Sequence, residues 1–154
     1  MYTVVYIVNY KEHFMELALL RTLMDKDFHD NHKGIRCPNS IFSKEGRKVK
    51  ATIDAAITTY GRDVTPIEVE ALFFSKNPTL TTAQKDSYQG IFDKVEREVI
   101  MGVDIASDVL SDMFRQHVGE EVANLGFEYV NGEHLSLEPL RAILENYNED
   151  FTPN

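Results

Sequence analysis

Three side chains between positions 29 and 37 could ligate a metal ion: His29, His32 and Cys37, with Asp27 and Asp30 interleaved. Structural zinc sites draw on paired elements such as C-x-x-C or H-x-x-x-H, and this chain has neither. These residues therefore read as polar side chains of a loop, and no metal is expected. A nucleophilic Cys37 would need a thiol acidified by its surroundings, and the adjacent Arg36 is the one sign of that. Glu120 and Glu121 resemble a carboxylate pair, but neighbouring residues on a helix point about 100° apart and do not share a site. His13 and His117 fall on expected helices, where surface or interface roles suit them better than that of a general base. Neither a phosphate-binding loop (glycine, four residues, then Gly-Lys-Ser/Thr) nor a dinucleotide fingerprint occurs, so the usual cradle of backbone amides for ATP is missing. No catalytic residue and no cofactor emerge from this chain.

The remaining chemistry is charge. Lys44, Arg47 and Lys48 share one helix face by their i, i+3, i+4 spacing. No aromatic residue of the kind that stacks on bases is interleaved with them. A solvated face is the plain reading, and a contact for an acidic partner, or an auxiliary contact to DNA, is the sharper one. Residues 33–50 hold six basic residues against one acidic, whereas residues 120–154 hold eight acidic against one basic. Such asymmetry can steer partners or neighbouring subunits. The whole chain carries a net charge of −9. Affinity for nucleic acid comes largely from released counterions, so the chain is expected to touch single-stranded DNA weakly if at all.

With 154 residues and 43% apolar composition, one domain able to bury a sizeable core is the default. No window approaches the ~18 consecutive apolar residues of a membrane span. The opening MYTVVYIV lacks the basic lead and small-residue cleavage site of a signal peptide; it reads either as a strand or as the first turns of a helix. The lone Cys37 fits a reducing cytoplasm.

The elements that must position these residues are helical. YKEHFMELALLRTLMDKDF, capped by Asn9, places Phe14, Leu17, Ala18, Leu20, Leu23 and Met24 at helical spacing. HDNHKGIRCPNS breaks that pattern and reads as a loop. A second helix is expected from Ser40 to Tyr60, with Val49, Ile53, Ala56, Ile57 and Tyr60 inward, Gly46 as a weak point in its first turn, and Gly61 as its cap. Thr65 and Glu68 then form a capping box, Pro66 sits at the first helical position, and Val64 with Val69 has the spacing of a hydrophobic staple. This helix should run from Pro66 to Lys76, stopped by Asn77-Pro78. Thr81 with Gln84 repeats the box ahead of a helix that turns Tyr88, Ile91, Phe92, Val95 and Val99 inward despite Gly90.

Beyond Gly102 the pattern lengthens. Ile105, Val109, Leu110, Met113, Phe114, Val118, Val122 and Leu125 predict one long amphipathic helix with room for a bend at Gly119. After the turn NGE, a last helix starts at Ser136 or Glu138. Its Leu137, Leu140, Leu144 and Tyr147 step by 3, 4, 3, the spacing of a helix-pairing seam. The expected architecture is all-α: a helical cluster over residues 1–100, a helical hairpin and linker helix over 101–148, and a linker or cut end over 149–154. The candidate interface is Val109, Met113, Leu137, Leu140, Leu144 and Tyr147.

The order of these parts resembles the N-terminal domain of DnaB-type replicative helicases, in the diverged form of T-even-like phages. The resemblance spans residues 14–148. It rests on the Ile41-Phe42 pair near a helix start, on the capped Pro-Ile-x-x-x-x-Leu helix of Pro66, Ile67 and Leu72, on LTTAQKDSYQGIFDKV, and on the closing hairpin. It implies a non-catalytic scaffold that pairs through its hairpins, forms a collar on a hexameric ring around single-stranded DNA, and docks a primase or helicase loader. ATP binding and hydrolysis would belong to a RecA-like motor that this sequence does not contain, so the chain reads as an isolated domain or fragment. Its setting would be the cytoplasm of a bacterial host cell, with no membrane partner. Two other readings stay open: the helicase-binding C-terminal domain of a primase, and a small all-α adaptor protein.

Overall fold

The computed structural model describes residues 15–32 and 41–146. The segment MYTVVYIV, the Asn9 cap, His13, Phe14, Lys33, Arg36, Cys37, Tyr147 and the C-terminal tail lie outside them. The described residues form an all-α fold: α1 (residues 15–22), α2 (Lys26–His32), α3 (Lys44–Tyr60), α4 (Pro66–Lys76), α5 (Thr82–Arg97), α6 (Val103–Val130) and α7 (Glu138–Asn146). Among them no helix is long and apolar enough to cross a membrane.

The first helix does not continue to Phe28 as its periodicity suggests, and residues 29–32, expected in a loop, are helical. The chain breaks near Asp25 and restarts as α2. Two carboxylates make the restart possible by accepting from amides that a helix start leaves unpaired. Asp25 Oδ1 accepts from the Phe28 N–H at 3.0 Å, and Asp63 Oδ1, from the distant α3–α4 turn, accepts from the Lys26 N–H at 2.8 Å. The turn carries Phe28 into the core, where it is fully buried.

α3 begins at Lys44 rather than Ser40, because Ser43 is its cap. Ser43 Oγ accepts from the Gly46 N–H at 3.0 Å. Behind it the Glu16 carboxylate of α1 accepts from the Ser43 N–H at 2.7 Å and from its Oγ–H at 2.8 Å. An anion suits a helix N-terminus, where amide partial charges converge. Gly46 is buried because it makes room for that carboxylate; a Cβ there would overlap Glu16 Oε1. At the far end Gly61 adopts φ 65° and donates its N–H to the Ile57 carbonyl, as a left-handed cap should. Tyr60, expected inward, is 55% exposed. The chain turns away before an element covers its ring, and the Arg62 guanidinium lies 5.9 Å over it instead.

α4 and α5 start as their sequences dictate, each with both hydrogen bonds of a capping box. Val64 and Val69 are both buried, completing the staple. Phe73 of α4 meets Tyr88 and Phe92 of α5 at ring-centroid separations of 4.6 and 5.5 Å. Val99, also expected inward, is 79% exposed, because α5 has ended at Arg97. One core runs from Leu17 through Phe28, Val49, Ile53, Val69, Phe73, Phe92 and Val95 to Ala106 and Leu110 at the base of α6.

α6 passes through Gly119 as a single helix of 28 residues, about 42 Å long at 1.5 Å per residue. Gly132, at φ 76°, turns the chain, and Tyr129 Oη donates to the Ser136 carbonyl at 2.8 Å to hold the turn shut. α7 starts at Glu138 and packs back against α6, so the closing hairpin is present.

Candidate functional site

The residues of the candidate interface differ in exposure. Val109 and Met113 lie near the base of α6, both half-buried, with Met113 packed against the core. Leu140 is half-buried in the helix that packs on α6, Leu137 and Leu144 are exposed, and Tyr147 lies outside the described residues. Among the described residues, exposed apolar side chains occur both at the α5–α6 junction, where Val99, Ile100, Val103 and Ile105 reach solvent, and at the distal end of the hairpin. Phe127 is 70% and Val130 84% exposed, and Leu135, Leu137 and Leu144 stand out with them. Exposed Glu133, Glu138 and Glu145 rim this tip, with Arg141 held between the last two at 3.7 and 3.2 Å. An apolar centre within a charged rim is the usual layout of a protein interface. Phe127, Val130 and Leu135 were missed as candidates. The available signal was their position: Phe127 lies about 200° around α6 from buried Leu125 at 100° per residue, so it cannot serve the same core.

The histidines expected on a loop instead knit the cluster together. His29, 4% exposed, faces Asp54 Oδ1 of α3 at 2.6 Å, and Lys50 Nζ donates to Asp54 Oδ2 at 2.9 Å. Burial alone would raise the Asp54 carboxyl; the hydrogen bonds and charges of His29 and Lys50 outweigh it and hold Asp54 below the ordinary carboxylate range. His32 stacks on Phe28 at 4.3 Å. Its Nδ1 lies 3.0 Å from the Phe28 carbonyl and its Nε2 2.9 Å from Ser107 Oγ. A carbonyl only accepts, so Nδ1 donates to it, and in the neutral ring Nε2 then accepts from the serine hydroxyl. The two rings thus take separate partners, tying α2 to α3 and to the base of α6. Among the described residues no group of three or more His, Cys, Asp or Glu could hold a metal ion. His117 Nε2 lies 3.1 Å from Glu121 Oε1, one turn along α6.

Lys44, Arg47 and Lys48 are exposed at the N-terminal end of α3. Alongside it a groove of about 340 Å³ runs between α3 and α4, lined by Lys48, Ala51, Thr52, Ala55, Phe73 and Lys76, with Asn77 at its end.

No family model matches this chain, and comparison with curated proteins and with solved structures gives no significant match.

Proposed function

We propose that this chain is the non-catalytic N-terminal oligomerisation and partner-docking domain of a hexameric DnaB-type replicative helicase, of the diverged T-even-like phage form. The supporting observation is the bare apolar tip of the α6–α7 hairpin, with Phe127, Val130, Leu135, Leu137 and Leu144 outside the fold's own core. The cost of leaving such a surface in water is relieved when a second apolar surface covers it. On this reading the tip first joins two copies, and the assembled collar presents docking sites to a primase or helicase loader. ATP chemistry belongs to a motor domain beyond the hairpin.

Sedimentation of the chain over a range of concentrations tests the reading. Dimers or larger states should form, and the double substitution Phe127→Glu with Leu137→Glu should return the chain to monomers while its helical circular dichroism stays unchanged. A wild-type chain that remains strictly monomeric at high concentration rules out self-pairing through the tip.

A further inference from the structure

Two outward helix faces begin with two charges of opposite sign, lysines on α3 and aspartates on α6, and end in small residues. On α3 the exposed line runs Lys44, Lys48, Ala51, half-buried Ala55 and Thr59, with Arg47 beside it. On α6 it runs Asp108, Asp112, Arg115, Gly119 and Ala123, all exposed. Lys44 to Ala55 and Asp108 to Gly119 each span eleven residues, about 16 Å of helix. Laid parallel, the two lines set Lys44 against Asp108, Lys48 against Asp112 and Ala55 against Gly119. The small residues let the helix axes approach closely, and Ala51 leaves space opposite Arg115.

Within one chain these faces cannot meet. α3 buries Val49 and Ile53 and α6 buries Ala106 and Leu110 in the same core, which turns both charged lines outward. Lys44, Arg47, Lys48, Lys76 and Asp108 make no ion pair among the described residues. Asp112 has only the exposed Arg115 guanidinium at 3.3 Å, an exposed pair worth at most about 1 kcal/mol. The α3–α4 groove, with Lys48 and Lys76 along it, supplies the matching concavity.

We propose that the acidic line of α6 in one copy seats in the lysine-flanked α3–α4 groove of a second copy. This rests on the self-assembly reading but uses a different surface from the tip. The contact joins unlike faces, so it propagates from copy to copy and closes into a ring when the rotation allows. Joined to a tip contact between like faces, it builds assemblies larger than a dimer. Nucleic-acid phosphate is the competing occupant of the same cations. The net charge of −9 and the absence of an aromatic residue on the face favour the acidic helix.

A charge swap decides it. The full chain is sedimented in low and high salt, with circular dichroism to confirm folding. States larger than the dimer should form in low salt and dissociate in high salt, since exposed ion pairs are screened. Lys44→Glu with Lys48→Glu should weaken those states at least about tenfold, as should Asp108→Lys with Asp112→Lys, while all four together restore them. Unchanged assembly in either pair, or failure of the fourfold variant to recover, overturns the proposal. So does a Lys44→Glu/Lys48→Glu chain that assembles normally but loses binding to a fluorescent single-stranded oligonucleotide. Failure of the tip reading is separately visible, as loss of the salt-resistant dimer in the Phe127→Glu/Leu137→Glu chain.

Discussion

The cluster and the hairpin are built from helices with very different support. Each of α3, α4 and α5 has a side chain capping its start and a buried stripe facing a shared core. α6 enters that core only with its first turns: Ala106, Leu110 and Phe114 are buried, and over its next 16 residues Leu125 alone is. Its N-cap is Gly102, which offers no side chain. The distal half of the hairpin therefore depends on the α6–α7 contact and on the turn held by Tyr129, and it displays apolar residues outward. The two halves thus differ in what specifies them: the cluster by caps and a shared core, the distal hairpin by one turn and one helix–helix contact.

Deleting core volume should show the largest contrast. Phe73 is fully buried among Phe74, Tyr88 and Phe92. Phe73→Ala should lower the stability to urea by about 3–5 kcal/mol, the usual range for a buried aromatic. A much smaller loss would mean that α4 and α5 repack freely, and the distinction between a rigid cluster and a projecting hairpin would go with it.

What was legible in the sequence and what was not follows contact distance along the chain. Thr65 with Glu68, Thr81 with Gln84, and Gly61 act within one turn of helix, so residue type and spacing placed them correctly. The miscast residues answer to partners far away. His29 belongs to Asp54 of α3, and His32 to Ser107 of α6. Asp63 starts α2 across 37 residues. Gly46 reads as a helix defect until Glu16 is seen beside it. The hairpin itself was legible from periodicity, but its exposed side was not. A leucine repeat marks apolar positions without saying whether a core already covers them, and α6 takes up Leu140 while leaving Leu137 and Leu144 out.

Gly46 gives the next sharpening of the contrast, through a change of sign. Gly46→Ala should destabilise the chain by about 1–3 kcal/mol, because the new methyl and the Glu16 carboxylate compete for one space. In a Glu16→Ala background that obstacle is gone, and alanine's helix preference over glycine, about 1 kcal/mol, should make the same change neutral or favourable. Urea unfolding of the four chains measures this; additive losses would show that Glu16 and Gly46 are not coupled.

Smaller effects belong to the α4 corner. Thr65→Ala removes a cap and should cost about 1 kcal/mol. Glu68 adds a pH signature. The Arg62 guanidinium first, then the Thr65 amide and hydroxyl, hold its carboxyl at about 2 against an ordinary value of 4.5. A value lower in the folded chain stabilises it above pH 4.5, and that contribution fades as pH falls toward 2. The stability difference between wild type and Glu68→Gln should accordingly shrink on acidification through that window, and a difference independent of pH would detach Glu68 from the cap.

The smallest expected effect tests the other side of the comparison. Phe127 is as large as Phe73, yet Phe127→Ala should change the stability of the monomer by no more than about 0.5 kcal/mol, as exposed substitutions usually do. Measured at a concentration where wild type self-associates, the same substitution should instead lower the unfolding midpoint, because a partner that binds only the folded chain stabilises it by mass action. A loss of several kcal/mol in dilute monomer would mean that Phe127 holds the hairpin closed. A null effect at every concentration would mean that the tip supports neither fold nor assembly.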